Sequence, residues 1–140
     1  MNGDETDGVQ AIENKVKDGE KAFSEGRFDE AWKCFEAILA VEPSNADALN
    51  NLAVICQQNG DLEQAEVLFL RAAALSEAPG NVLVNLSAVA LGAGKIPQAT
   101  GYLERALALE GETPRILEQM SLITDVMGEG QTATMLWRKA

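Results

Sequence analysis

Gly26, Gly60, Gly94 and Gly128 recur at a spacing of 34 residues, and the register runs without insertion or deletion. Five residues after each glycine stands an alanine: Ala31, Ala65, Ala99 and Ala133. Four further on comes a large apolar residue (Phe35, Phe69, Leu103, Trp137), and three more bring Ile38, Ala72, Ala106 and Ala140. Steps of four and then three keep to one face of an α-helix. A second helical pattern precedes the glycine, as in Leu49, Leu52, Ala53 and Cys56, or Leu83, Leu86, Ser87 and Ala90. Ala53 and Ser87 are expected to face Ala65 and Ala99, so that two antiparallel helices approach closely while larger residues fill the space on either side. The glycine falls where the first helix must stop and supplies a left-handed backbone at little steric cost. The unit is a helix–turn–helix hairpin written four times. A fixed period of this length marks a solenoid, in which each unit buries a face on its neighbours.

Composition agrees with an all-α chain: alanine, leucine, glutamate and glutamine are good helix formers, and only four residues are proline. Helices are expected at about 11–25, 29–42, 46–59, 63–76, 80–93, 97–110, 114–127 and 131–140. Residues 1–10, polar and acidic, read as a loose tail with nothing to bury. Residues 11–140 read as one domain, with repeats at about 12–45, 46–79, 80–113 and 114–140. The last repeat stops inside its second helix, at Met135-Leu136-Trp137-Arg138-Lys139-Ala140, without a polar cap.

The pattern resembles the tetratricopeptide repeat family, whose 34-residue unit reads W-x2-L-G-x2-Y, later A-x3-F, with a proline near the end. The second unit matches as Leu49-x2-Leu52-Ala53-x2-Cys56 followed by Ala65-x3-Phe69, and the first as Ala31-x3-Phe35 with Pro43 in the inter-repeat turn. The first unit departs at Lys15 and Asp18, where apolar residues are usual, which suits an N-terminal helix with one side in solvent. Later units lack a proline equivalent to Pro43, although Pro79 and Pro114 lie at the next two junctions, and Thr113-Pro114 reads as a helix N-cap followed by proline in the first turn. The resemblance implies a right-handed superhelix, with first helices lining a concave inner face and second helices forming the convex back.

The chemistry of the chain points to binding. With 22 acidic against 11 basic residues, a net charge of −11, it repels phosphate backbones and anionic lipid, so neither nucleic acid nor a membrane is expected as a partner. No apolar run nears the ~18 residues of a membrane span, and the acidic start is the opposite of a signal peptide; cytoplasmic residence is the default expectation. Cys34 and Cys56, with no histidine in the chain, cannot make a usual four-ligand zinc site. A disulfide between them is conceivable, but two small apolar helix residues is the plainer reading. Carboxylate pairs such as Asp29–Glu30 and Glu63–Glu66 open second helices, where they complement the helix dipole. Gly92-x-Gly94 lacks the rest of a phosphate loop, and no serine has a histidine to serve as its base. No enzymatic activity, cofactor or metal is expected.

Helical geometry turns Asn50, Asn51, Val54 and Gln57 away from the core stripe of the second repeat, and in the resembled fold they face the groove. The register adds Asn81, Val84, Asn85 and Leu91 from the third repeat, and Arg115, Gln119 and Leu122 from the fourth. Asn51, Asn85 and Gln119 form a row of carboxamides, each offering an acceptor and a donor pair that match a peptide group. Superhelical members of the family use a similar asparagine ladder; the alternative is that these side chains are merely solvated. The subtype that clamps a C-terminal carboxylate is disfavoured: the corresponding places hold Val16, Glu20, Asn51, Asn81 and Asn85, and only Asn51 matches. The expected partner is a protein or extended peptide, the chain serving as adaptor or scaffold. Alternatives are a self-assembling scaffold, with a homodimer through the C-terminal end, and a recruitment domain of a larger enzyme. Charge grades from net −6 over residues 1–45 to zero over 114–140, so the partner's basic residues are expected toward the N-terminal repeats.

Overall fold

Residues 2–128, which the computed structural model describes, form seven α-helices and no strand among them. They are α1 Asn2–Ser24, α2 Phe28–Val41, α3 Ala46–Gln58, α4 Leu62–Leu75, α5 Gly80–Gly92, α6 Ile96–Glu110 and α7 Pro114–Met127. From α2 onward every boundary falls within one residue of the position read from the sequence. The helix expected over 131–140, with Ala133, Trp137 and Ala140, lies outside the described residues.

The repeating glycine explains this regularity. After α1, α3 and α5 the chain closes the same double bond: Arg27 N donates to Ala22 O and Gly26 N to Phe23 O, Asp61 N to Cys56 O and Gly60 N to Gln57 O, Lys95 N to Ala90 O and Gly94 N to Leu91 O. This six-to-one and five-to-two pairing requires a left-handed residue, and Gly26, Gly60 and Gly94 have φ of 78°, 84° and 77°. The residue after each glycine is already the N-cap of the next helix. Three residues thus reverse the chain.

Each hairpin then zips along the predicted stripe. Ala31, Ala65 and Ala99, Phe35, Phe69 and Leu103, and Ile38, Ala72 and Ala106 are all fully buried. Ala53 and Ser87 are likewise at 0% exposure, and the Ser87 hydroxyl donates to the Ala99 carbonyl oxygen at 2.8 Å, which fixes the close approach of α5 and α6. In the first hairpin the same place is taken by Gly19, whose backbone lies against the Phe35 ring. Lys15 and Asp18 are exposed, as an end helix allows. Each second helix also packs on the next first helix, α2 on α3, α4 on α5 and α6 on α7, which joins the hairpins into one continuous core.

Two features depart from the sequence reading. First, α1 starts at Asn2 instead of near residue 11, so the stretch read as a loose tail is helical. Acidic residues suit a helix N-terminus, and no proline interrupts the stretch. Second, Gln119, expected on the groove, is buried on α7 together with Ile116 and Ile123.

Candidate binding face

Neighbouring first helices touch one another, α3 with α5 and α5 with α7, whereas the second helices α2 and α4 reach the next repeat through α3 and α5. First helices are thus drawn together on the inside of the curve. Across this inner side runs a connected set of polar side chains. The Nδ2 of Asn85 donates to Oδ1 of Asn50 at 3.2 Å. Arg115 then donates from Nη2 to Oδ1 of Asn85 at 2.7 Å and from Nη1 to Oδ1 of Asn81 at 2.9 Å. One guanidinium on α7 holds two carboxamides on α5, and one of these holds a third on α3.

The predicted row of carboxamides is therefore linked differently. Asn51, Asn85 and Gln119 sit 34 residues apart, but the bonds join residue 50 to 85 and 85 to 115. Each repeat is rotated slightly on the last, and that offset decides which side chains meet. Of the residues expected on the groove, Asn50, Asn51, Val54, Gln57, Asn85 and Leu91 are half-buried, and Asn81 and Leu122 are exposed. Two are covered instead. Val84 is 5% exposed, because α5 is the first helix flanked on both sides by other first helices. Gln119 is also 5% exposed, on the side that α7 turns inward, and its Nε2 has no hydrogen-bond partner among the described residues.

The N-terminal end of the inner side opens as a cleft of about 490 Å³ between α1 and the start of α3, lined by Val16, Lys17, Glu13, Glu20, Glu42 and Asp47 among others. Four carboxylates against one lysine make this end acidic, in line with the charge gradient of the sequence. A second cleft of about 720 Å³ lies at the hairpin turns, where Trp32, Ile55 and Asn59 flank Arg27, which is ion-paired with Glu25 and Glu30. Its hydrogen bond to Glu25 holds the Arg27 guanidinium more firmly protonated than usual, with the charge of Glu30 adding to this.

Both cysteines are free. Burial raises the pKa of Cys56, and the charge of Asp61 adds to this. No group of three or more histidine, cysteine or acidic side chains among the described residues is arranged to hold a metal, and no described helix is long and apolar enough to cross a membrane. The dimer contact expected at Met135, Leu136 and Trp137 lies outside the described residues.

The tetratricopeptide repeat family model matches residues 19–82. Over these residues the chain carries tetratricopeptide repeats. No curated protein matches it significantly along its sequence. Solved tetratricopeptide structures match it closely in fold. The first such domain of Spaghetti (RPAP3), bound to the HSP90 peptide SRMEEVD, superposes with a TM-score of 0.77 at 23% identity, over 84% of this chain and 94% of that one. The Yersinia enterocolitica type III secretion chaperone SycD, in complex with a peptide of the translocator YopD, gives 0.75 at 16% identity over 85% and 96%. The Thermobaculum terrenum O-GlcNAc transferase gives 0.79 at 22% identity, over 83% of this chain but 22% of that larger one. At these identities the likeness establishes the tetratricopeptide fold.

The sequence placed Arg115 on the groove by register without giving it a role. Its signal was the spacing of 34 from Asn81, which it now bonds. Nothing in the sequence alone could have shown that it also reaches Asn85.

Proposed function

We propose that this tetratricopeptide domain binds an extended segment of a partner protein along its inner face, acting as an adaptor or scaffold. The observation that carries this reading is the run of carboxamides and one guanidinium across α3, α5 and α7, accessible to solvent and flanked by the half-buried Val54 and Leu91. Such groups exchange water for peptide hydrogen bonds at a modest net gain, on the order of 0.5–1.5 kcal/mol each. Several in series hold a chain without demanding one sequence. That two of the matched structures carry bound peptides supports the same use here.

The test begins by capturing partners with the chain, mapping the bound segment and measuring its affinity. Asn51→Ala combined with Asn85→Ala is expected to weaken binding roughly tenfold or more, at about three- to tenfold per side chain. Arg71→Ala combined with Glu104→Ala, two exposed changes on the second helices, is expected to leave it intact. The opposite pattern would move the binding surface to the convex back.

A second reading, as the recruitment segment of a larger enzyme, is favoured by one observation: the match to the transferase, of which this chain covers 22%. It uses the same inner face, and sequence contiguous with this chain in its gene decides it.

A further inference from the structure

Three carboxamides of the inner face, Asn50, Asn81 and Asn85, are not free to present either end. A carboxamide has one acceptor oxygen and two N–H donors, and a guanidinium has donors alone. Arg115 engages Oδ1 of Asn81 and of Asn85, and Asn85 in turn engages Oδ1 of Asn50. Turning either α5 amide over would set N–H against N–H, and Arg115 does not relieve the clash by losing its proton. What the three asparagines and the arginine still offer a ligand is mainly N–H. Gln119, one turn from Arg115 on α7, is covered at 5% exposure and adds nothing to this accessible set.

We propose that Arg115 is a positioning residue that makes the α3–α5–α7 stretch of the inner face a donor surface, selecting an Asp or Glu side chain of the bound segment. This deepens the inner-face reading and rests on it. It also changes what the amides do: instead of matching peptide N–H and C=O alike, they favour acceptors, and a charged acceptor most. The site differs from C-terminal carboxylate capture, since Val16 and Glu20 occupy places where that subtype needs other residues and the donors here come from later helices. The opposite end of the inner face bears Glu13, Glu20, Glu42 and Asp47. A bound segment is therefore oriented by charge, with its acidic residue over α5 and α7 and its basic residues toward α1.

The experiment uses the full chain, labelled with ¹⁵N, and three synthetic peptides capped at both ends. The peptides are identical except for Glu, Gln or Lys at one central position. Shifts of the side-chain amide signals of Asn50, Asn81 and Asn85 report binding. The Glu peptide is expected to bind about tenfold more tightly than the Gln peptide, and the Lys peptide least. That order runs against the chain's net charge of −11. Arg115→Leu should abolish the preference for Glu and shift the Asn81 and Asn85 amide signals even without peptide. Arg115→Lys keeps the charge but not the two-pronged hold, and should lose most of the preference. Arg115 is exposed, so both variants should melt with the parent. Equal binding of the Glu and Gln peptides would overturn the inference while leaving the inner-face reading standing. Full preference in Arg115→Lys would overturn the positioning role. Failure of all three peptides to move these amides would also overturn the inference; the alanine pair, measured on the captured partner, judges the broader reading separately.

Discussion

Gly19 and Gly101 are both helical glycines with opposite reasons for being there. A Cβ on Gly19 would sit 2.8 Å from Cε1 and Cζ of Phe35 and 3.2 Å from Cβ of Cys34, and Phe35 is fully buried with no room to retreat. A Cβ on Gly101 would meet nothing within 4 Å. Gly19→Ala is thus expected to destabilise the domain by roughly 1–3 kcal/mol through overpacking. Gly101→Ala should stabilise it by about 0.5–1 kcal/mol by restraining the unfolded chain. Urea unfolding of the two variants reads both signs. The place of Gly19 was legible, since it stands 34 residues before Ala53; that even a methyl is excluded there was not, because it depends on how the Phe35 ring lies. The cysteines differ in the same local way. Cys56 is 4% exposed, and burial raises its pKa, whereas Cys34 is half-buried. In the folded protein iodoacetamide is expected to modify Cys34 well before Cys56, and equal rates would contradict the packing of α3 on α4.

At the scale of elements, the three-residue reversal after each first helix is common to all three hairpins, but its capping is not. Asp61 accepts from Gln64 N at 3.2 Å, whereas Arg27 and Lys95 make no side-chain cap. Asp61→Ala should therefore cost about 1 kcal/mol, measured as a lower urea midpoint at unchanged slope. Alanine at Arg27 or Lys95 removes only surface ion pairs, that of Lys95 reaching a half-buried Glu66 at 3.8 Å, and such pairs are worth little. Helix ends were readable because glycine and the caps act locally. The start of α1 was not, since low hydrophobicity alone does not forbid a helix that continues a packed one. The burial of Gln119 was not readable either. Position 119 carries a carboxamide just as positions 51 and 85 do, yet only Gln119 is buried.

For the molecule as a whole, a stack of hairpins whose second helices supply the outer layer leaves one long inner side. Its two ends differ in sign: carboxylates between α1 and α3, N–H donors and a guanidinium between α5 and α7. The sequence showed the charge gradient along this side and candidate faces for it, of which Val84 and Gln119 are covered. It did not show which amides pair, because a repeat register of 34 says nothing of the offset between repeats. Association through the acidic end is expected to weaken as salt rises, in proportion to the basic residues the partner places there; affinity unchanged between low and high salt would contradict that polarity. The claim beneath all of this is that the inner face is the working surface. It is tested most directly by titrating the mapped partner segment into the ¹⁵N-labelled chain and following amide shifts residue by residue. Large shifts are expected on the inner face, at Asn50, Asn51, Val54, Asn81, Asn85 and Arg115, with the exposed positions of α2, α4 and α6 unmoved. Shifts concentrated on those second helices, with the inner asparagines silent, would contradict it.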